Sequence, residues 1–147
     1  MNGVQAHLLV NHLPVLGLAI SALFGSVVLY SKRPGLRSTY HLIALGSYVA
    51  AVLAFITGEL ALHTLADSQD PALADTYVEV HDTIAHDFVG LFWLGLALHA
   101  IVSVLLWRKR KLPKALDVVT VAFAILCFLI TIVIAHSGGE IRHPHIR

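Results

Sequence analysis

The chain has 147 residues, of which 57% are hydrophobic and only 13% are charged. A soluble domain is roughly one quarter charged, so this composition excludes an ordinary soluble enzyme and places the chain among membrane proteins. A formal net charge of +1 gives no reason to expect a nucleic-acid partner. The single cysteine, Cys127, excludes an intrachain disulfide and a thiolate metal site, and its apolar surroundings predict a small buried side chain.

Four apolar segments are each long enough to span a bilayer, for which about 20 residues are needed. They lie near 8–30, 41–63, 84–107 and 115–136. The first has no basic flank and no small-residue cleavage site, so we interpret it as a retained helix and not as a signal peptide. Short polar connections predict antiparallel neighbours. The whole chain, 1–147, is therefore expected to form one all-α domain, an integral membrane up-down four-helix bundle.

The basic residues predict how the bundle is oriented. Eight of the ten Lys and Arg residues fall in or beside the first and third connections: Lys32, Arg33, Arg37, Arg108, Lys109, Arg110, Lys111 and Lys114. The positive-inside rule makes that side cytoplasmic. Both termini and the acidic 64–83 connection then face the outer, periplasmic side of a bacterial inner membrane. Within that connection, Asp70 and Pro71 are typical of a helix start.

Histidines concentrate at the predicted outer end, where eight of the ten are found. Every helix brings at least one imidazole to this level, and the candidate ligands are His12, His63, His81, His86 and His136. Glu59 lies among them, and a carboxylate near membrane depth is costly unless it pairs, binds a metal or relays a proton. His7, His143 and His145 lie near the termini and are expected to be solvated.

The two remaining histidines, His41 and His99, lie in apolar runs at the opposite end of the predicted bundle. His41 is expected to open the second helix, and His99 to lie about two turns before the end of the third. The second and third helices then each carry histidines near both membrane surfaces. Diheme b-type cytochromes hold two stacked haems in this way, whereas a single metal ion would not require His41 or His99.

Three functions compete on these observations. The first is a membrane cytochrome with one or two haem b groups, the outer held by two of the five outer candidates and the inner by His41 and His99. It would pass electrons between a quinol or membrane partner and an outer redox protein, as a respiratory-complex subunit rather than a stand-alone enzyme. Gly17, Gly58 and Gly90 would leave room for the flat ring.

The second function is a membrane protein that binds copper, iron or zinc at the outer end. Its ligands would be His12, Glu59, His81, His86 and His136, with Asp82, Asp87 and Glu140 as orienting partners. The third is a small structural subunit of a larger membrane complex, in which the histidines satisfy hydrogen bonds.

Four sequence elements carry a resemblance to a known group. They are Asn11-His12-Leu13-Pro14, Thr57-Gly58-Glu59, His81-Asp82 and Gly138-Gly139-Glu140-Ile141-Arg142-His143. Together they resemble small bacterial four-helix membrane proteins of the DUF2231 type, over most of the chain. The resemblance implies a four-helix membrane protein with His12, Glu59 and His81 near one outer site, and implies no activity. The chain departs from the pattern at Asp82, where the group has Glu, and it has an additional histidine, His86.

Overall fold

A computed structural model describes residues 2–31, 33–67 and 76–142 of the chain. Within these residues the structure is entirely α-helical, as predicted, with helices in five segments. The helices are α1 Gly3–Val10, α2 Leu13–Tyr30, α3 Pro34–Asp67, α4 Thr76–Trp107 and α5 Lys114–Arg142. The predicted helix start at Asp70 and Pro71 lies outside the described residues, as do His143 and His145.

The predicted count of four spans is confirmed. Four stretches are long and apolar enough to cross a membrane, and α1 and α2 together form the first of them. Asn11 and His12 interrupt that span as a turn. Pro14 follows in the first turn of α2, where its missing N–H removes no helical hydrogen bond. Asn2 begins α1 with a reciprocal capping box to Gln5.

The helices are longer than the apolar segments predicted. The second span begins at Pro34 instead of 41, and the third begins by Thr76 instead of 84. The sequence prediction stopped each helix where its residues become polar, but polar residues continue a helix once it has left the apolar layer. His41 therefore does not open its helix, as expected; it lies seven residues inside α3.

The four long helices form a closed ring. Helix α3 packs against α2 and α4, and α5 packs against α4 and α2, while α1 lies on α3. The core contains Leu18, Ala44, Tyr48, Val121 and Cys127, all at most 2% exposed. Cys127 is thus the buried side chain that was predicted. Large apolar side chains such as Leu23 and Ile101 cover the outside of the ring, which is the surface a lipid-facing bundle requires.

The two ends of the ring differ in chemistry. We call the end that carries the connections at 31–33 and 108–113 the basic end, and the opposite end the histidine-rich end. At the basic end, Arg37 on α3 links to the third connection and to α5. Its Nε donates to Asp117 at 2.7 Å, and its Nη atoms donate to the carbonyls of Leu112 and Pro113 at 3.1 and 3.2 Å. These bonds fix α3 against the start of α5.

Candidate metal centre and buried histidine pair

A cluster of two carboxylates and one imidazole lies at the histidine-rich end. Glu59 of α3 faces Asp82 and His86 of α4. His86 Nε2 lies 3.0 Å from Glu59 Oε1 and 3.7 Å from Asp82 Oδ1. Phe55, one turn before Glu59 on α3, meets the His86 ring edge-on at a centroid distance of 5.0 Å. The ring is thus held with Nε2 against both carboxylates.

The spacing of these atoms suits a single metal ion. All three potential ligand atoms lie within 4.8 Å of one another. Ligands about 2.0–2.2 Å from one ion lie about 3 Å apart when adjacent and about 4 Å apart when opposite. The side chains of Glu59, Asp82 and His86 are 38, 37 and 50% exposed, so one side of the cluster is open to solvent.

The other predicted outer ligands lie elsewhere. His12 is exposed at the start of α2 and caps no backbone N–H. His63 and His136 are exposed on α3 and α5. His81 turns toward α5, where its Nδ1 lies 2.9 Å from the Ser137 hydroxyl. Within the described residues, the group that could hold a metal therefore unites Glu59 and His86 with Asp82, which was expected only to orient a ligand.

The expectation that His7 is solvated is wrong. Its ring lies in the bundle, where Nδ1 is 3.1 Å from the Ala54 carbonyl and 3.4 Å from the Thr57 hydroxyl. Gly58 lies beside the ring: a Cβ there would be 3.4 Å from His7 Cε1, an ordinary van der Waals contact. The His7 and His81 rings are 6.4 Å apart, edge to face. Proximity to a chain terminus was a poor guide because α1 packs against α3.

His41 and His99 form the most deeply buried polar contact of the described residues. Both side chains are 0% exposed, and their Nδ1 atoms are 3.1 Å apart. Tyr48 stacks on His99 at 5.3 Å, and Tyr40 contacts both rings at 4.7 and 5.5 Å. The two histidines therefore lie at the same end of the bundle and contact each other directly; their role as ligands of an inner haem stays a prediction.

Asp117 of α5 completes the buried group. Its Oδ1 lies 3.6 Å from His41 Nε2 and accepts the hydrogen bond from Arg37. Sequence reasoning missed Asp117 as a site residue. The available signal was that it is the one acidic residue among the eight basic ones at that end.

These residues do not fit a haem in this arrangement. The rings of His41 and His99 touch each other and are enclosed by Tyr40 and Tyr48, so no space for a macrocycle lies between them. Of the three glycines expected to make room for the ring, the exposed Gly90 has nothing within 4 Å of its Cβ position, whereas Gly17 and Gly58 face other side chains. A Cβ at Gly17 would lie 2.7 Å from the Ser47 hydroxyl, and Gly58 faces His7. The cytochrome function stays a prediction.

No protein-family model, curated protein or solved structure matches the chain. The resemblance to DUF2231-type membrane domains thus stays a prediction.

Proposed function

We propose that the chain is a multi-pass membrane protein that binds a divalent transition-metal ion through Glu59, Asp82 and His86. The observation that carries the proposal is the convergence of the three ligand atoms within 4.8 Å, from two helices. Two of the three residues, Asp82 and His86, are one turn apart on α4, and the rigid helix holds their spacing.

The donor set selects the class of metal. Two carboxylate oxygens and one imidazole nitrogen suit Zn²⁺ or Fe²⁺ better than Cu⁺, which prefers sulfur. Two ionised carboxylates with a neutral imidazole also balance the charge of a divalent ion. Three protein ligands leave coordination positions for water or for a ligand from solution, as in metal sites that exchange or react.

The proposed site faces the periplasm of a bacterial inner membrane. This orientation is supported by the eight Lys and Arg residues at or beside the basic end, which the positive-inside rule assigns to the cytoplasm. The partial exposure of the three side chains gives the ion access from that aqueous side.

Metal titration of the purified full chain in detergent tests the proposal. We expect one Zn²⁺ or Fe²⁺ per chain after desalting, measured by elemental analysis, with Fe²⁺ handled anaerobically. Glu59→Gln, Asp82→Asn and His86→Ala should each weaken affinity by about 100-fold or more, at or beyond the range for loss of an orienting partner.

His63→Ala is the matched control. It removes an exposed histidine one turn beyond Glu59 on α3, so binding should be unchanged. Binding that persists in Glu59→Gln and His86→Ala would overturn the proposal. If the purified protein held no other metal and its reduced-minus-oxidised spectrum showed a haem, the cytochrome function would take the place of the metal-binding proposal.

A further inference from the structure

Four polar side chains follow one another from the basic end into the core. Arg37 donates to Asp117, Asp117 faces His41, and His41 contacts His99, at 2.7, 3.6 and 3.1 Å. The chain starts near solvent, where Arg37 and Asp117 are 19 and 8% exposed, and ends at a histidine that is fully buried. His99 lies eight residues before the end of α4, about 12 Å into the bundle at 1.5 Å per residue.

The contacts select one tautomer for each ring. His41 Nε2 faces Asp117 Oδ1 at 3.6 Å, which is longer than a hydrogen bond, and has no hydrogen-bond partner among the described residues. Because a carboxylate accepts hydrogen bonds and donates none, the shorter contact that proton transfer needs requires the proton on Nε2. His41 Nδ1 is then bare and accepts from Nδ1–H of His99. An Nδ1-protonated neutral His99 has a bare Nε2. This is the arrangement by which a buried carboxylate orients a histidine for proton transfer.

The inner end of the chain is an unused acceptor. His99 Nε2 is buried and has no hydrogen-bond partner among the described residues. A buried polar atom without a partner costs free energy, and Tyr40 and Tyr48 enclose the ring and hold it in place. Intramembrane ionisable residues arranged in this way mark ion or proton pathways.

We propose that Asp117, His41 and His99 form a proton-transfer chain between the basic end and the core of the bundle. The proposal is independent of the metal site, which lies at the opposite end. The groups that face the chain are Arg37, Tyr40 and Tyr48 from α3; from α2, Gly25 leaves room for the Tyr40 ring.

One transfer moves one proton without net change in the rings' charge. His99 Nε2 takes up a proton from a hydronium ion that enters the core and leaves as water, and the Nδ1–H of His99 passes to His41 Nδ1. The Nε2–H of His41 then passes to the Asp117 carboxylate, which releases it to water at the basic end. Both rings finish in the other tautomer, and the reverse sequence restores them. Arg37 stays protonated throughout and holds the carboxylate in place.

Nitrogen NMR of the full chain in proteoliposomes tests the proposal. Histidines are labelled with ¹⁵N, and the two signals are assigned from spectra of His41→Asn and His99→Asn. We expect the proton on Nε2 in His41 and on Nδ1 in His99. In D₂O, successive forward and reverse transfers should replace the His41 Nε2 proton through Asp117, while the proton between the two Nδ1 atoms only passes from one ring to the other.

Asp117→Asn is the decisive variant, because it keeps the size and an acceptor oxygen but cannot take up the proton. We expect both tautomers to be kept while hydrogen exchange at His41 Nε2 slows by about 100-fold, the low end of what a positioned proton-transfer group contributes. Asp87→Ala, an exposed carboxylate change on α4, should leave exchange unchanged.

Three results would overturn the proposal. One is exchange in Asp117→Asn at the wild-type rate, and another is a His99 ring that carries its proton on Nε2. The third is a stoichiometric metal ion that is lost in His99→Asn, since the pair would then be a metal site.

Discussion

Ser47 on α3 occupies the space that a side chain at Gly17 on α2 would fill. A Cβ at Gly17 would lie 2.7 Å from the Ser47 hydroxyl oxygen and 3.3 Å from its Cα. One turn further along α2, Ser21 donates to the Gly17 carbonyl and lies 3.0 Å from the Ser47 hydroxyl. Small residues at a four-residue spacing thus let two helices approach closely, as at helix contacts in membranes.

Gly17→Ala should therefore destabilise the bundle. We expect a loss of about 1–3 kcal/mol, the usual cost of adding a methyl group where there is no space for it. Reversible unfolding in mixed detergents, followed by circular dichroism, measures the change. Gly46→Ala on α3 is the control, because nothing lies within 4 Å of its Cβ position. An equal loss in both variants would contradict the packing explanation.

Arg37→Ala should destabilise the chain more than Arg33→Ala does. Loss of Arg37 leaves the Asp117 carboxylate without its 2.7 Å partner and frees two backbone carbonyls. Removing one member of a buried pair costs about 3–5 kcal/mol, and we expect about half of this because Arg37 is 19% exposed. Arg33 is exposed and serves as the control. In the Asp117→Asn background, Arg37→Ala should lower the free energy of unfolding by clearly less than it does in the wild type.

Ser137→Ala should remove support from His81. The Ser137 hydroxyl donates to the Ile134 carbonyl, so it accepts from His81 Nδ1–H at 2.9 Å. The variant leaves a half-buried N–H without its partner, at a cost of about 1–3 kcal/mol of unfolding free energy. Ser26→Ala is the control, since the Ser26 hydroxyl bonds back to the Ala22 carbonyl of its own helix. If Ser137→Ala and Ser26→Ala lowered the free energy of unfolding equally, the support of His81 by Ser137 would be contradicted.

Lys109→Gly should stabilise the third connection. Lys109 has a φ of 54°, and hydrogen bonds from Lys109 N–H to Leu106 and from Arg110 N–H to Leu105 close the end of α4 around it. Glycine is the residue that favours this position. We expect a gain of about 0.5–1 kcal/mol, measured by the same unfolding assay. Lys111→Gly in the same connection should bring no gain.

Cysteine labelling tests the orientation of the bundle. The native Cys127 is fully buried and gives little background. In intact bacterial cells, an impermeant maleimide should label Glu79→Cys at the histidine-rich end and leave Lys111→Cys at the basic end unlabelled. Both parent side chains are exposed. The reverse pattern would place the proposed metal site in the cytoplasm.

Hydropathy was sufficient to predict four spans, because runs of apolar residues mark the helix interiors. It could not set the helix ends, since charged residues such as Arg37 continue a helix outside the apolar layer. Site residues were harder to predict. Which imidazoles meet depends on how each helix is rotated, and composition carries no such information. His81 and His86 were both candidates on α4, yet one faces Ser137 and the other faces Glu59.

Asp117 shows a second limit of the sequence. A single carboxylate among basic residues has the appearance of a counterion on the surface. Its contact with His41 depends on how deep His41 lies within α3. The sequence prediction started that helix at His41, whereas it starts at Pro34.

The length of α3 relates the proposed metal site to the thickness of the bilayer. At 1.5 Å per residue its 34 residues extend about 51 Å, well beyond the roughly 30 Å of hydrocarbon. In a bilayer, exposed Tyr30 and Trp107, with the lysines and arginines beside them, would anchor the basic end at the headgroups. The hydrocarbon of a thicker membrane would then extend along the helices toward Glu59. Such a hydrophobic mismatch would place the carboxylates in lipid, so the affinity for the metal would depend on acyl-chain length.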